Sequence, residues 1–258
     1  MDTRSIAVIT AELDSADDNS LAQLIASLAY DERAGVRRAV VRAQRRRSAE
    51  AVELSRLHVL ARMEQELMDN GCVIVAGVDE VGRGALAGPV TACACVFDRD
   101  VHVPGVNDSK RLSPRTREHL AVEIRRLARG VGVAHVPPAE IDELGIVAAT
   151  VEAMRQAIGR LPEVPDHVLV DGLPVNLGLA CTAIVSGDAL TRAIGAASIV
   201  AKVDRDRLMT DIDARFPVYG FAGNKGYGSA AHMEALRTYG PSTVHRLSFA
   251  PCSSRTLF

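Results

Sequence analysis

The alternation of apolar and polar positions changes rhythm near residue 72. Before that point Leu21, Leu24, Ile25 and Leu28 recur at i, i+3, i+4 and i+7, the period of one helical face. A second stripe runs through Leu54, Leu57, Leu60 and Leu67, with Ser48 reading as an N-cap and Gly71 as a stop, so a helix is predicted between them. Beyond residue 72 short runs rich in Val and Ile predict strands at 72–79, 90–97, 131–136, 167–172 and 180–187. Helices are predicted at 139–160, 192–216 and 229–239. The first three strands lie close enough in sequence to pair as antiparallel neighbours, and the order predicts an α/β fold, a mixed sheet flanked by helices. Two domains are expected: a helical extension over residues 1–70, and residues 71–258, a sheet domain closed by a C-terminal helical segment.

Composition adds little until its distribution is inspected. The 258 residues carry 30 Lys plus Arg against 32 Asp plus Glu, a net charge of −2, so no global excess announces a polyanion partner. Locally the picture differs, because residues 33–47 hold seven arginines and no acid. That run reads equally as a solvated helix face or as an arm that tracks phosphates. Only Lys110, Lys202 and Lys225 are lysines. Five cysteines without a CxxC pair support neither a disulfide framework nor a zinc cage. The 14-residue uncharged run at 84–97, broken by Gly88 and Pro89, is too short to span a membrane, which needs about 20 apolar residues. The first residues lack the apolar length and cleavage site of a signal peptide, so a cytoplasmic location is expected.

The chemistry concentrates where strands end in acids. The first predicted strand runs into Asp79 and Glu80 and then turns through Gly82, Arg83 and Gly84. Adjacent strand residues point to opposite faces, so both acids serve one site only if the strand breaks at Glu80, a break the two glycines can supply. Val170, Asp171 and Gly172 repeat the pattern, and a third strand is followed by Asp188. One such Asp is usually a turn residue, but three strand ends with four carboxylates make an all-oxygen site suited to Mg²⁺ or Mn²⁺. Neither a P-loop nor a dinucleotide fingerprint fits the glycines at 82–84.

The blocks DEVGRGALAGPV (79–90), NDSK (107–110), VDG (170–172), AASIVAKVDRDRLM (196–209) and FPVYGFAGNKGYGS (216–229) resemble the signatures of the bacterial ribonuclease HII family, in that family's order. The resemblance implies a ribonuclease H-like sheet and a metal-dependent endonuclease that cleaves RNA paired with DNA and incises at single ribonucleotides in duplex DNA, leaving 3′-hydroxyl and 5′-phosphate ends. It implies a role in DNA replication and repair, two divalent cations, Mn²⁺ or Mg²⁺, held by Asp79, Glu80, Asp171 and Asp188, and no further cofactor. Asp206 is the runner-up for the fourth acid, although its spacing from Lys202 equally allows a structural i, i+4 pair. Gly82, Arg83 and Gly84 match the family's element at the RNA to DNA junction, and Tyr227 matches the tyrosine that stacks on the ribose there. Lys110, Lys202 and Lys225 are expected to contact phosphate or carboxylate. Asn224 departs from the family pattern, where His often precedes Lys-Gly-Tyr. Residues 1–70 resemble the extension of longer members and are expected to add duplex affinity. The expected partners are RNA/DNA hybrid and ribonucleotide-containing duplex DNA, with no membrane, and the chain is expected to be a monomer. Two alternatives stand beside this reading: a ribonuclease HIII-type enzyme, whose pattern is Gly-Lys-Gly at the turn, and a non-catalytic hybrid-binding module, which would have lost the acids.

Overall fold

The computed structural model describes residues 3–253. The chain divides between Arg56 and Leu57 into two compact units, earlier than the expected boundary at residue 70. In the first unit, α1 (Ile6–Ser15) and α2 (Asp18–Ser27) precede the start of α3 (Ala34–Asp69). Ser5 and Asp17 cap the first two helices, Asp17 Oδ1 accepting from the Ser20 amide at 2.8 Å. Leu21 and Leu28 of the predicted stripe are buried with Ile9, Leu13, Val36, Ala39 and Ala43, and Leu24 and Ile25 pack against them.

Ser48 does not begin a helix. It lies inside the 36-residue α3, because the Ala- and Arg-rich stretch from Val36 to Arg47 contains strong helix formers and neither Gly nor Pro. The end of α3 belongs to the second unit, where Leu57 and Leu60 join the core and Glu64 is fully buried. The Glu64 carboxylate accepts from Arg192 Nη2 at 2.6 Å and from the Ala193 amide at 2.9 Å, while burial pushes its pKa up against the pull of that guanidinium.

Among the described residues five strands form one sheet, β1 (Val75–Val81), β2 (Val90–Val96), β3 (Gly130–Val136), β4 (His167–Asp171) and β5 (Cys181–Ile184), in the order β3-β2-β1-β4-β5. The first three pair antiparallel and β1, β4 and β5 run parallel, the mixed sheet read from the sequence. Ala76, Val78, Ala92, Ala94 and Val170 bury one face with Ala153, Met154 and Ala157 of α6 (Ile146–Gly159). Cys93 and Cys95 bury the other with α4 (Pro114–Leu127) and α8 (Arg192–Arg215). Gly77 lets α8 lie directly on the sheet, since a Cβ there would stand 2.3 Å from the Ala193 carbonyl carbon.

The helix predicted over 139–160 is two helices, α5 (Pro138–Leu144) and α6, parted by Gly145 at φ 77°. The last predicted strand is short, and Ser186 at φ 59° turns the chain into α7 (Gly187–Leu190). The C-terminal segment holds α9 (Phe221–Asn224), α10 (Ala230–Tyr239) capped by Ser229, and α11 (Ala250–Ser253). Among the described residues no helix is long and apolar enough to cross a membrane.

Candidate active site

The site opens where the two halves of the sheet part company. The parallel ladder between β1 and β4 stops at Val78 and Val170, whereas β1 continues against β2 through Val81. The strand therefore does not break at Glu80, contrary to the sequence expectation; Glu80 still opposes Ala92 in the ladder. Both acids nevertheless line one pocket, at the level where the parallel pairing of β1 with β4 stops. Asp171 is the last residue of β4, and Asp188 enters from α7 rather than from a strand end.

That pocket has a volume of about 350 Å³, and Asp79, Glu80, Asp171 and Asp188 all line it. Lys110, Lys202 and Tyr227 complete its wall with Val81, Ser109 and Ser198. Asp79 is buried and its Oδ1 accepts from the next amide, Glu80 N, at 2.7 Å. The Ser198 hydroxyl, which pulls the Asp79 carboxyl down against its burial, lies 3.0 Å from that of Ser109. Asp171 Oδ1 accepts from the Gly187 amide at 2.6 Å, which ties the start of α7 to the end of β4.

Burial, then the neighbouring Glu80 and Asp171, push the Asp79 carboxyl up to about 8. Burial also raises Glu80, opposed by Arg83, and raises Asp188, reinforced by Asp171. Carboxyls raised by one another are groups that a cation would relieve, and an all-oxygen donor set suits a hard divalent ion. The residues present thus fit such an ion by chemistry. Among the described residues no three His, Cys, Asp or Glu side chains converge as they stand, and Asp79 and Asp171 each accept from a backbone amide.

The other sequence-singled residues fall around this pocket. Lys202 pairs with Asp206 at 2.6 Å, so Asp206 is engaged one helical turn below the pocket that Asp188 lines. Gly82 (φ 85°) and Gly84 flank Arg83, whose Nη1 is 3.8 Å from Glu80 Oε1; the three adjoin the pocket without lining it. Lys225 also stays outside, its ammonium donating to the Asp206 carbonyl at 3.3 Å and the Thr210 hydroxyl at 3.1 Å. Asn224 knits its loop, donating to the Tyr219 carbonyl at 2.6 Å and accepting from the Gly226 amide at 2.8 Å. Sequence reasoning singled out neither Ser109 nor Ser198, each inside a lysine-bearing block, nor Arg205, whose guanidinium lies 5.6 Å from the Tyr227 ring centre.

In the first unit, Arg33, Arg42 and Arg46 bind Asp31, Asp14 and the Leu13 carbonyl, which fastens α3 to its neighbours. Arg37, Arg38, Arg42 and Arg45 surround Val41 in an open hollow of about 390 Å³.

A mixed sheet of this order, with acids at the ends of β1 and β4, is a ribonuclease H-like fold. The Ribonuclease HII family model matches residues 76–252, and the Ribonuclease HII N-terminal domain model matches 5–68. A Ribonuclease HII of Desulfitobacterium hafniense is 45% identical over 230 residues, covering 89% of this chain and 88% of its own. The crystal structure of ribonuclease H2 from Pyrococcus horikoshii is similar at a TM-score of 0.58 and 29% identity, over 70% of this chain and 96% of that one. A Bst-RNase HIII structure in complex with Mn²⁺ shares the fold at a TM-score of 0.54 and 19% identity, over 70% of this chain and 68% of that one. The chain belongs to the ribonuclease HII family, whose members are endonucleases of the ribonuclease H type.

Proposed function

We propose that the protein hydrolyses the RNA strand of RNA/DNA hybrids and incises at single ribonucleotides embedded in duplex DNA, leaving 3′-hydroxyl and 5′-phosphate ends. The observation that carries this reading is the single pocket in which four carboxylates from β1, β4 and α7 meet Tyr227 and Lys110. Asp79, Glu80, Asp171 and Asp188 would hold two divalent cations, Mg²⁺ or Mn²⁺, which supply Lewis-acid activation of water and of the departing oxygen when bound. The protein's own part is orientation. Tyr227 offers a partly exposed ring at the pocket rim for stacking on a ribose, where a 2′-hydroxyl distinguishes RNA from DNA. Gly82, Arg83 and Gly84 present backbone and a guanidinium to the strand at the junction, and Lys110 supplies a phosphate contact. Lys202 is occupied by Asp206 and serves to set that helix face.

The arginine face of α3 supports a second task, affinity for duplex phosphates, because its acid-free side is turned away from the buried face of the helix. Gly-Arg-Gly at 82–84 favours this reading over the HIII type, and the retained acids favour it over a silent binding module. The chain is read as a monomer. The test is cleavage of a DNA duplex carrying one ribonucleotide, with Mg²⁺ and Mn²⁺ in turn and end analysis of the products. Incision at that nucleotide is expected; cleavage confined to long hybrids, or none with either ion, would overturn the reading.

A further inference from the structure

Two arginines outside the pocket are buried without an acid. Arg205 and Arg246 are both fully buried, and among the described residues neither forms an ion pair with a carboxylate. Burying a charge is costly, and an apolar side chain of similar size commonly serves as well or better where only filling is required. What a guanidinium adds is a planar fork of donors. All the acceptors here are backbone carbonyls of the segments that flank the pocket.

Arg246 donates to Gly82 O at 2.7 Å, Arg83 O at 2.8 Å and Gly88 O at 3.0 Å. Arg205 donates to Lys225 O at 2.8 Å, Pro89 O at 2.9 Å and Ala87 O at 3.2 Å, with the Tyr227 ring beside it. Gly82 touches both: its carbonyl is held by Arg246, and a Cβ on it would stand 2.0 Å from Arg205 Nε. Backbone bonds close the same frame, from Leu86 N to Gly226 O at 2.8 Å, from Gly88 N to Val244 O at 2.8 Å and from Arg246 N to Leu86 O at 2.9 Å. Asp142 anchors the chain just after Arg246 by accepting from the Leu247 and Ser248 amides.

We infer that Arg205 and Arg246 are positioning residues which lock the turn at Gly82, Arg83 and Gly84 to the Tyr227 loop, and so set the selectivity for a lone ribonucleotide. The inference rests on the proposed reading that these two elements meet the RNA to DNA junction. A lone ribonucleotide can be read in one register only, so turn and tyrosine must keep a fixed separation. A uniform hybrid offers a 2′-hydroxyl in every register, so a displaced reader still finds one. Arg→Lys at either site keeps the charge but loses the fork, and does not restore the frame.

The experiment compares kcat and KM of the full chain with Mn²⁺ on a duplex with one ribonucleotide and on a uniform RNA/DNA hybrid, for wild type, Arg246→Lys and Arg205→Lys. Each variant is expected to lose about 10- to 100-fold in kcat/KM on the lone ribonucleotide and much less on the hybrid. A merely structural role lowers both through the folded fraction, so an unchanged ratio overturns the inference. Wild type that fails to incise at the lone ribonucleotide shows instead that the underlying reading of the junction is wrong, before any variant is made. Hydrogen exchange on wild type answers the case in which the variants do not fold. The amides of Leu86, Gly88 and Arg246 are then expected to be as protected as those of β2, and loop-like exchange overturns the inference.

Discussion

Asp79 is the most deeply placed of the four pocket acids, on a strand locked by β2 on one side and open on the other. Asn keeps its shape and can still accept from the Glu80 amide, but it offers a cation one neutral oxygen in place of a charge. Asp79→Asn is therefore expected to lower single-turnover cleavage by on the order of 10³-fold, with hybrid affinity nearly unchanged in a gel-shift titration. Retained cleavage would remove Asp79 from the ion-binding set. The mirror case is Asp206→Asn: its carboxylate is 2.6 Å from Lys202 and outside the pocket lining, so a loss of less than about tenfold is expected. A loss as deep as that of Asp79→Asn would move the fourth acid from Asp188 to Asp206.

Among the elements, α3 joins two tasks. Its arginine-rich part belongs to the first unit, and the part after Arg56 buries Leu57, Leu60 and Glu64 in the second. Removing residues 1–56 is expected to leave a folded enzyme whose hybrid affinity falls less steeply with salt, by about one in the log–log slope for each phosphate that is no longer neutralised. Removing residues 1–70 also deletes Glu64 and leaves the Arg192 guanidinium buried and unpaired, at a cost of about 3–5 kcal/mol in urea unfolding. Equal stability of the two truncations would refute that account. The sequence carried the five strands and the mixed character of their sheet, the stripe on α2 and the four acids that line one pocket, because periodicity and strand-end residues are local signals. It did not carry the start of α3, since Ser48 looks like a cap although nothing before it stops a helix. Nor did it carry the continuation of β1 past Glu80, or the helical turn under Asp188. Both depend on where β4 and β5 end, which is a property of pairing between distant segments.

For the whole molecule a net charge of −2 predicts little about pH, so a few buried groups dominate it. His232 and His245 meet Nε2 to Nε2 at 3.0 Å beneath the Tyr227 loop. His232 Nδ1 faces the Tyr227 carbonyl at 2.9 Å and His245 Nδ1 receives the Ser242 amide at 2.9 Å, so the chain of bonds closes with both rings neutral. Burial, reinforced by His232, pushes His245 down to about 4. The native state then binds fewer protons than the unfolded chain between about pH 4 and 6.5, and stability falls as the solution is acidified through that window. Asp79 has the opposite sign: with its carboxyl near 8, the native state holds a proton that the unfolded chain has lost above about pH 4, so stability falls as pH rises towards 8. The two effects oppose each other below about pH 6.5, and above it only the acid cluster acts. In EDTA the urea midpoint is thus expected to decline from pH 6.5 to 8, by at most about 1.4 kcal/mol of stability per pH unit for one group. Asp79→Asn should flatten most of that decline and expose the histidine limb as a steady loss from pH 6.5 to 4.5. Millimolar Mn²⁺ should flatten the alkaline decline in the wild type as well, because a bound cation favours the ionised acids that folding alone disfavours. An alkaline decline that persists unchanged in Asp79→Asn would show that the pocket acids are not its source.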